Sequence, residues 1–329
     1  MLPTALLELI ADGREHARAH LRESLGLEPD ELSWQIEALE GAGLEVVAGG
    51  NDRIRLRERI DWMDRSAVES RLGERLLQKI ESLELALEIA STNRHLLEAS
   101  PPMPAMARVA IAEFQTSGRG RRGRSWTMPP GSGVALSASW RFGSEHSGLE
   151  ALSLAVGAVI RRAVHDLTGL EVGLKWPNDL IVDGAKLGGI LVELTHLPAG
   201  ECHAVVGIGI NVNVSASFLA RASDFRHGAT DLASAAPRWP VDRAGLAAQL
   251  IGQLVDLFAS YPASGFEPYR DEWLAAHVLQ GQAVELDSTS GKTRGRVVDV
   301  GADGALVVES EGGERHRVIS GDVTLRPAP

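Results

Sequence analysis

The segment Gly118–Trp126 reads Gly-Arg-Gly-Arg-Arg-Gly-Arg-Ser-Trp and separates two strand-like runs, Arg108–Phe114 and Gly133–Trp140. Four arginines fall within six residues, and no acidic residue lies between Glu113 and Glu145 to neutralise them. Glycine lets the backbone take positive φ and approach a ligand closely. Arginine supplies planar, charged donors that suit carboxylate and phosphate groups. The segment therefore predicts an anion-binding loop between two strands.

The composition is that of an ordinary globular protein. Of 329 residues, 44% are hydrophobic, the net charge is −11 and the mean hydropathy is −0.04. The apolar runs are too short to span a bilayer, and the N-terminus lacks the basic-then-apolar pattern of a signal peptide. A single cysteine, Cys202, excludes an intramolecular disulfide and a cysteine metal cluster. We expect two or three domains, a cytoplasmic location and no membrane contact.

The first 60 residues predict a small helical unit followed by a β-hairpin. Apolar residues recur at helical spacing in three segments that each end near a glycine, namely 2–10, 16–25 and 28–39. Two alternating runs then flank Gly-Gly-Asn-Asp, which is typical of a hairpin. Three short helices and a hairpin are the pattern of a winged helix-turn-helix. We assign this domain to residues 1–62, with the helix-turn-helix at about 18–37.

The remainder of the chain predicts an α+β protein. Strand-like and helical segments follow one another over residues 63–277 and favour a central mixed β-sheet with helices. From residue 278 to 329 the pattern changes to short strands with glycine turns, which is typical of a small SH3-like β-barrel. We therefore expect a catalytic domain over 63–277 and a separate barrel over 278–329.

Taken alone, the arginine-rich loop leaves two other interpretations open. Residues Gly118–Ser125 fit a P-loop except that Arg124 stands in place of the lysine, and a P-loop would make the chain an ATPase or GTPase. The prolines of the following Trp126–Gly131 segment oppose this, because a P-loop must open a helix. An RNA-binding loop is the second alternative, although four arginines with one tryptophan are a weak nucleic-acid signal.

Companion motifs narrow the choice. Ser91-Thr92-Asn93 and Gln115 precede the loop, and three motifs follow it: Lys-Trp-Pro-Asn-Asp at 175–179, Lys-Leu-Gly-Gly-Ile-Leu-Val-Glu at 186–193 and Gly-Ile-Gly-Ile-Asn-Val-Asn at 207–213. In this order they resemble the biotin–protein ligases, and the N-terminal unit resembles the bifunctional members that also repress a biotin operon. The resemblance covers nearly the whole chain. It implies a central domain of the class II aminoacyl-tRNA-synthetase and biotin-ligase type.

The resemblance also implies a two-step reaction that uses ATP and Mg²⁺. The biotin carboxylate attacks the α-phosphate of ATP, pyrophosphate leaves, and biotinyl-5′-adenylate forms. A lysine amine of the biotin carboxyl carrier protein of acetyl-CoA carboxylase then attacks the acyl carbon and releases AMP. Such phosphoryl transfer depends mainly on positioning and charge stabilisation. A homodimer that pairs the edges of the central sheets is expected by resemblance, and operator DNA is a further expected partner.

The same resemblance assigns roles to individual residues. The polar head of biotin is expected to contact Ser91, Thr92, Asn93 and Gln115. The loop is expected to close over the carboxylate and later the adenylate, through Gly118, Arg119, Gly120 and Arg121. Trp126 would wall the biotin tail, and Gly189 would lie beside the ligand.

Catalysis is assigned to Lys186, Arg121 and Arg119. Lys186 would contact the carboxylate and the α-phosphate, and a compact ammonium suits such a point contact in a chain with only four lysines against 29 arginines. The ATP and Mg²⁺ side is expected to include Arg121, Arg124, Lys175, Asn178, Asp179, Asn211 and Arg326. No metal site made by protein groups alone is expected, because Mg²⁺ would arrive with ATP.

Two features depart from the family's pattern. Ala229 stands where members often carry a tryptophan that stacks on adenine, so other residues must pack there. Between Arg22 and Arg53 there are eight acidic residues and no lysine or arginine, and this span includes the predicted recognition helix. Affinity for DNA depends on cationic contacts to phosphate, and arginines on either side of this span could still supply them. Operator binding and a structural or regulatory remnant therefore both stay open. Arg94 is expected to point outward.

Overall fold

The computed structural model describes residues 2–144, 148–221, 228–237, 240–288, 291–319 and 324–327, with side chains omitted at 286–293 and 324–327. The described helices include none that is long and apolar enough to cross a membrane. Three β-sheets divide the structure into an N-terminal, a central and a C-terminal unit.

The N-terminal unit packs three helices on a small antiparallel sheet. Its elements are α1 (Thr4–Ile10), β1 (His16–Ala17), α2 (Arg18–Leu25), α3 (Pro29–Gly41), β2 (Val46–Gly49) and β3 (Arg53–Leu56). The sheet order is β1-β3-β2. A reciprocal capping box starts α3, in which the side chain of Glu31 accepts a hydrogen bond from the Glu28 amide at 2.8 Å. Leucines and isoleucines of all three helices and β3 form its separate core.

The central unit is built on a seven-stranded sheet. Its strands are β4 (Ile80–Ile89), β5 (Ala107–Gln115), β6 (Gly133–Phe142), β7 (Gly173–Lys175), β8 (Asp179–Val182), β9 (Ala185–His196) and β10 (Cys202–Asn211). The sheet order is β4-β5-β6-β10-β9-β8-β7. Only the β4–β5 pair is parallel among these neighbours, so the sheet is mixed, as the sequence predicted.

Helices connect and cover these strands. They are α4 (Arg65–Leu77), α5 (Thr92–Glu98), α6 (Leu152–Thr168), α7 (Ala216–Arg221), α8 (Leu232–Ala235), α9 (Arg243–Ser264) and α10 (Glu267–Ala276). Along β6, Val134, Leu136 and Trp140 face the large core formed with α6 and α9. The alternating serines Ser137 and Ser139 are also buried but lie on the other face. This polar face, under α5, is where the candidate site lies.

The C-terminal unit is a five-stranded antiparallel sheet, so this region consists of strands, as its sequence pattern predicted. Its strands are β11 (Ala283–Ser288), β12 (Gly291–Val300), β13 (Leu306–Glu309), β14 (Arg315–Val318) and β15 (Thr324–Pro327), in the order β14-β13-β12-β11-β15. Trp176 joins this sheet to the central unit, because its buried indole N–H donates to the carbonyl of Gly304 at 2.9 Å. Trp176 is thus a buried core residue between the two units.

A buried ion pair ties the segment before α4 to the central sheet. The Arg243 guanidinium lies 2.6 Å from one carboxylate oxygen of Glu113 and 3.2 Å from the other. Arg243 also donates to the carbonyls of Gly133 and Asp61, and Glu113 accepts from the Met63 amide at 2.5 Å. Because both charged groups are buried, their pairing is a condition for this junction to form.

Candidate active site

A cluster of neutral polar groups forms one end of the site. Ser91 caps α5, and its hydroxyl accepts from the Arg94 amide at 3.4 Å. Gln115 at the end of β5 accepts from the Thr92 amide at 2.8 Å through its side-chain oxygen. Ser91, Thr92 and Asn93 are all almost fully buried. Buried hydroxyls and amides of this kind require hydrogen-bond partners, so the cluster suits an uncharged polar ligand group.

Ser137 completes this cluster, although the sequence analysis did not select it. Its hydroxyl lies 2.7 Å from the Thr92 hydroxyl and 2.6 Å from Oδ1 of Asn93. The signal was present as a serine at an inward position of β6, but strand alternation alone does not tell which face is the polar one. Gly207 on the neighbouring strand leaves the space, because a Cβ there would overlap Asn93 Oδ1.

The side-chain amide nitrogen of Asn93 reaches strand β9. Its Nδ2 donates to the carboxylate of Glu193 at 2.9 Å and to the carbonyl of Leu191 at 3.3 Å. The other carboxylate oxygen of Glu193 lies 3.1 Å from the guanidinium of Arg119 in the arginine-rich loop. Glu193 therefore joins α5 to that loop, and its role was also missed at the level of sequence.

The arginine-rich loop closes as a tight hairpin. The Gly120 amide donates to the Arg124 carbonyl at 2.7 Å, and the Trp126 amide donates to the Gly118 carbonyl at 2.9 Å. The turn is a single 3-10 turn in which Arg122 has φ 58° and Gly123 has φ 73°. Glycine at the last of these positions avoids the strain of a left-handed backbone.

This geometry corrects the P-loop alternative for Gly118–Ser125. A P-loop must pass from a strand directly into a helix whose N-terminal amides face phosphate. Here the segment after Trp126 contains no helix, turns at residues 130–131 and leads into strand β6 at Gly133. The prolines at 129 and 130 account for the missing helix, as they remove amide donors and fix φ.

Trp126 forms a wall between the loop and the sheet. Its ring lies against Gly209, where a Cβ would overlap the indole. The ammonium of Lys186 sits 5.4 Å from the ring centroid, within cation–π distance. Its indole N–H is buried and has no hydrogen-bond partner within the described residues. An aromatic wall with one spare donor suits a ligand that is largely apolar.

Charged groups form the other end of the site. The Lys186 ammonium lies 2.6 Å from a carboxylate oxygen of Asp179, and both side chains are largely buried. Burial lowers the pKa of Lys186, the nearby charges of Arg124 and Lys175 lower it further, and Asp179 opposes the shift. Asp179 is also opposite Lys175 in the β7–β8 register. Three of the predicted ATP-side residues thus surround Lys186.

Arg121 extends this charged end. Its guanidinium is partly buried, and that burial together with neighbouring arginines lowers its pKa, while Asp179 opposes the change. The side-chain amide Nδ2 of Asn178 donates to the Ile190 carbonyl at 2.6 Å and so fixes the turn before β8. Gly189 brings the β9 backbone close, since a Cβ there would lie 3.4 Å from the Lys186 ammonium.

A short segment next to Lys186 borders the site on the side predicted for adenine. Ala229 pairs with Lys186 as an isolated parallel bridge, and the Thr230 amide donates to the Lys186 carbonyl at 2.9 Å. Asn211 donates to the Thr230 carbonyl at 3.0 Å and holds this segment against β10. The side chain of Ala229 is a single methyl group, so this position offers no aromatic surface.

Arg94 lies apart from this arrangement, and Arg326 is described only in its backbone. Arg94 points outward to Glu98 at 2.7 Å, as the sequence predicted. The side chain of Arg326 lies outside the described residues, and only its backbone pairing with Glu285 in the β11–β15 ladder is defined. Among the described residues, no group of three or more His, Cys, Asp or Glu side chains could hold a metal ion.

Comparisons with known proteins place these features in context. The sequence profile of the Biotin/lipoate A/B protein ligase family matches residues 87–213, and that of the Biotin protein ligase C terminal domain matches residues 280–326. The chain is 30% identical to the bifunctional ligase/repressor BirA of Salmonella typhimurium over 99% of its own length and 98% of the relative's. It is also 30% identical to a biotin–[acetyl-CoA-carboxylase] ligase of Paracoccus denitrificans, over 68% of this chain and 93% of that one.

The structure is also similar to a solved structure of a biotin protein ligase. The biotin protein ligase from Aquifex aeolicus, in complex with biotin and ATP, superposes with a TM-score of 0.61 at 26% identity. The match covers 75% of this chain and 100% of that chain. The site described above lies within the first matched sequence region, apart from Ala229 and Thr230.

Proposed function

This chain belongs to the biotin protein ligase family, and we propose that the site described above activates biotin with ATP and transfers it to a protein lysine. The observation that carries this proposal is the polarity of the site. A neutral hydroxyl–amide cluster lies at one end, a buried Lys186–Asp179 pair lies at the other, and Trp126 lies beside that lysine. Biotin has the same order of groups: a neutral ureido head, an apolar tail and a carboxylate.

The residues take the following roles in the proposal. Ser91, Thr92, Asn93 and Gln115, with Ser137 behind them, hold the ureido head, and Trp126 covers the tail. Lys186 neutralises the carboxylate as one of its oxygens attacks the α-phosphorus and pyrophosphate leaves. The loop from Gly118 through Arg119, Gly120 and Arg121 closes over the mixed anhydride and keeps water from it. The acceptor amine then attacks the acyl carbon, and AMP leaves.

In this proposal ATP binds on the side of the charged end, and the residues assigned to it are Arg121, Arg124, Lys175, Asn178, Asp179 and Asn211, with Arg326 as a further candidate. The oxygen atoms of Asp179 and Asn178 fit Mg²⁺ that arrives with the triphosphate, because Mg²⁺ favours one or two protein oxygens beside phosphate and water. The ion would supply charge neutralisation at the phosphates. Ala229 leaves adenine without an aromatic partner at that position.

Biotin-dependent exchange of labelled pyrophosphate into ATP tests the first step. The wild-type chain should show exchange with biotin and no steady ATP hydrolysis without it. Lys186→Gln should nearly abolish exchange, while Lys79→Gln is the matched control, since Lys79 pairs with Asp256 on the surface at 3.4 Å. Steady biotin-independent hydrolysis, or full exchange by Lys186→Gln, would contradict the proposal. Labelling of apo biotin carboxyl carrier protein tests the second step.

A second function, repression of a biotin operon, is favoured by the N-terminal unit. The match to the bifunctional relative spans 99% of this chain and so includes the unit, which we interpret as a winged helix-turn-helix over residues 1–62. Charge is the opposing consideration. Helix α3 carries five acidic residues counted from Glu28 to Glu40, and three arginines near the hairpin already face acids, in the pairs Arg18–Asp52, Arg57–Glu45 and Arg59–Asp61.

A mobility-shift assay with a biotin-gene promoter, biotinyl-adenylate and low salt tests this second function. Binding that weakens steeply with salt would support it, and the absence of a shift at low salt would remove it.

The proposal also includes a catalytic domain over 63–277, an SH3-like barrel over 278–329, a homodimer through sheet edges and a cytoplasmic location. Sedimentation with and without biotinyl-adenylate tests the dimer.

A further inference from the structure

Glu193 carries a partly buried carboxylate to which the proposed reaction gives no role. We propose that Glu193 is a positioning residue that fastens the arginine-rich loop to the head end of the biotin site by holding the Arg119 side chain. The inference rests on the proposed function, because it concerns how that same site is closed. It assigns the guanidinium of Arg119 to holding the loop in place and leaves the ligand's anionic groups to Lys186 and Arg121.

The contacts of the carboxylate support a fastening role. One oxygen accepts from Asn93 Nδ2 at 2.9 Å, and the other lies 3.1 Å from the Arg119 guanidinium. Charge-assisted contacts of this kind are stronger than neutral hydrogen bonds. Glu193 is the less exposed partner, with 21% of its side chain accessible against 50% for Arg119. The loop therefore reaches down to a carboxylate that the sheet already holds.

The position of Glu193 along β9 separates the two loop arginines. Lys186 and Glu193 lie seven positions apart on this strand, a backbone distance of roughly 23 Å at about 3.3 Å per residue. Arg119 is bound at the Glu193 end, where Asn93 and Ser137 form the neutral cluster. Arg121 instead feels the charge of Asp179, which pairs with Lys186 at the other end. One arginine thus faces the head end and the other the carboxylate end.

Glu193 also determines the orientation of the Asn93 amide. A carboxylate only accepts hydrogen bonds, so Nδ2 of Asn93 must face Glu193, and Oδ1 must face the Ser137 hydroxyl at 2.6 Å. The hydroxyl of Ser137 then donates to Oδ1 of Asn93, and the Thr92 hydroxyl lies 2.7 Å from the same Ser137 oxygen. A single carboxylate therefore sets both the loop position and the orientation of the Asn93 side-chain amide in the head pocket.

Binding of a neutral ligand distinguishes this role from direct recognition of the carboxylate. Biotinol carries an alcohol in place of the carboxylate of biotin and keeps the ureido head. If Arg119 contacts the carboxylate, Arg119→Met weakens biotin and leaves biotinol unchanged. If Arg119 holds the loop through Glu193, the same variant weakens both ligands equally. Methionine keeps an unbranched apolar stem of similar length to that of arginine and removes the guanidinium with its charge and its N–H donors.

Isothermal titration of the full-length chain with biotin and with biotinol provides the test. Glu193→Gln should weaken both ligands about tenfold, because it loses two charge-assisted contacts. Arg119→Met should weaken both about threefold, as expected for a half-exposed ion pair. In the Glu193→Gln background, Arg119→Met should add nothing further. Glu98→Gln is the matched control, since Glu98 forms an exposed i,i+4 ion pair with Arg94 at 2.7 Å.

Three results would overturn the inference. The first is a loss by Arg119→Met that is confined to biotin, and the second is full additivity in the double variant. The third is tighter biotin binding by Glu193→Gln, which would mean that Glu193 competes with the ligand for Arg119. Arg119 is half exposed, so its variant keeps the test valid even where Glu193→Gln unfolds. A wild-type chain that binds neither ligand would instead contradict the proposed function itself.

Discussion

Removing the Arg243 charge should destabilise the central unit more than any surface substitution. Arg243 and Glu113 form a buried pair with separations of 2.6 and 3.2 Å. In Arg243→Met, the Glu113 carboxylate keeps one donor, the Met63 amide at 2.5 Å, and remains buried with an uncompensated charge. Breaking one side of a buried ion pair costs about 3–5 kcal/mol of unfolding free energy. We expect a loss of that size.

The double variant is the informative measurement. In Glu113→Gln/Arg243→Met no charge remains, and the glutamine oxygen can still accept from the Met63 amide. Replacement of a whole buried pair by neutral groups is often close to neutral in stability. The double variant should therefore be more stable than Arg243→Met alone by about 2 kcal/mol or more. Such a rescue follows only if the carboxylate and the guanidinium compensate each other.

Urea unfolding followed by tryptophan fluorescence measures these free energies. The matched control is Arg75→Met, because Arg75 pairs with Asp256 at 3.2 Å while both side chains are more than half exposed. Exposed pairs contribute about 0–1 kcal/mol, so this control should be nearly silent. Strict additivity of Glu113→Gln and Arg243→Met would refute the reasoning, and so would an Arg243→Met effect no larger than that of the control.

Three further predictions concern protonation and closure. Burial lowers the pKa of Lys186, and Asp179 opposes that shift. Because exchange needs the charged ammonium, pyrophosphate exchange should fall with rising pH below the ordinary lysine range, and Asp179→Asn should move this fall to still lower pH. An alkaline limb of the pH profile that does not move in Asp179→Asn would contradict this. Burial lowers the pKa of His277 to about 4 from 6.5, so the stability that depends on its neutral form is present above about pH 6.5 and is lost as the pH falls towards 4. That loss is about 3 kcal/mol, and His277→Phe should flatten the pH dependence of urea unfolding over this range, whereas an unchanged slope would argue against the assignment. Arg121→Gly should release the adenylate early and label bystander lysines, which a streptavidin blot of mixed proteins would reveal; labelling confined to the carrier protein would count against its closing role.

Much of the fold could be predicted because the hydrophobic pattern follows the sheet. The run Arg108–Phe114 and the run Gly133–Trp140 are both strands, and Leu83–Ile89 is a strand despite its helix-favouring glutamates and leucines. Strand pairing overrides the weak helix propensity there, because β4 lies beside β5 in register. The order of the strands in the sheet could not be read from local patterns, since β10 inserts between β6 and β9.

The ligand motifs were visible in the sequence because each has an unusual local composition. Ser137 was not part of any motif, and Glu193 only ended one without a role of its own, because one serine in a strand and one glutamate after an apolar run are common. Their significance depends on Asn93, which lies 44 and 100 positions away from them along the chain. Only the folded sheet brings three such distant residues together, so contact and not composition identifies them.

The two ends of the site differ in how their buried polar groups are compensated. At the neutral end, hydroxyl and amide groups satisfy one another, as Ser137 does between Thr92 and Asn93, so the pocket is ready for a polar but uncharged head. At the other end, Lys186 is buried beside Asp179, and the lowered pKa of the lysine shows that this pairing compensates its burial only in part. An incoming carboxylate or phosphate supplies the missing negative charge. The ligand anion therefore offsets the free-energy cost of burying the Lys186 ammonium, which is present before the ligand binds. Lys186 can then interact more strongly with the charge that develops during adenylation than a solvated lysine could.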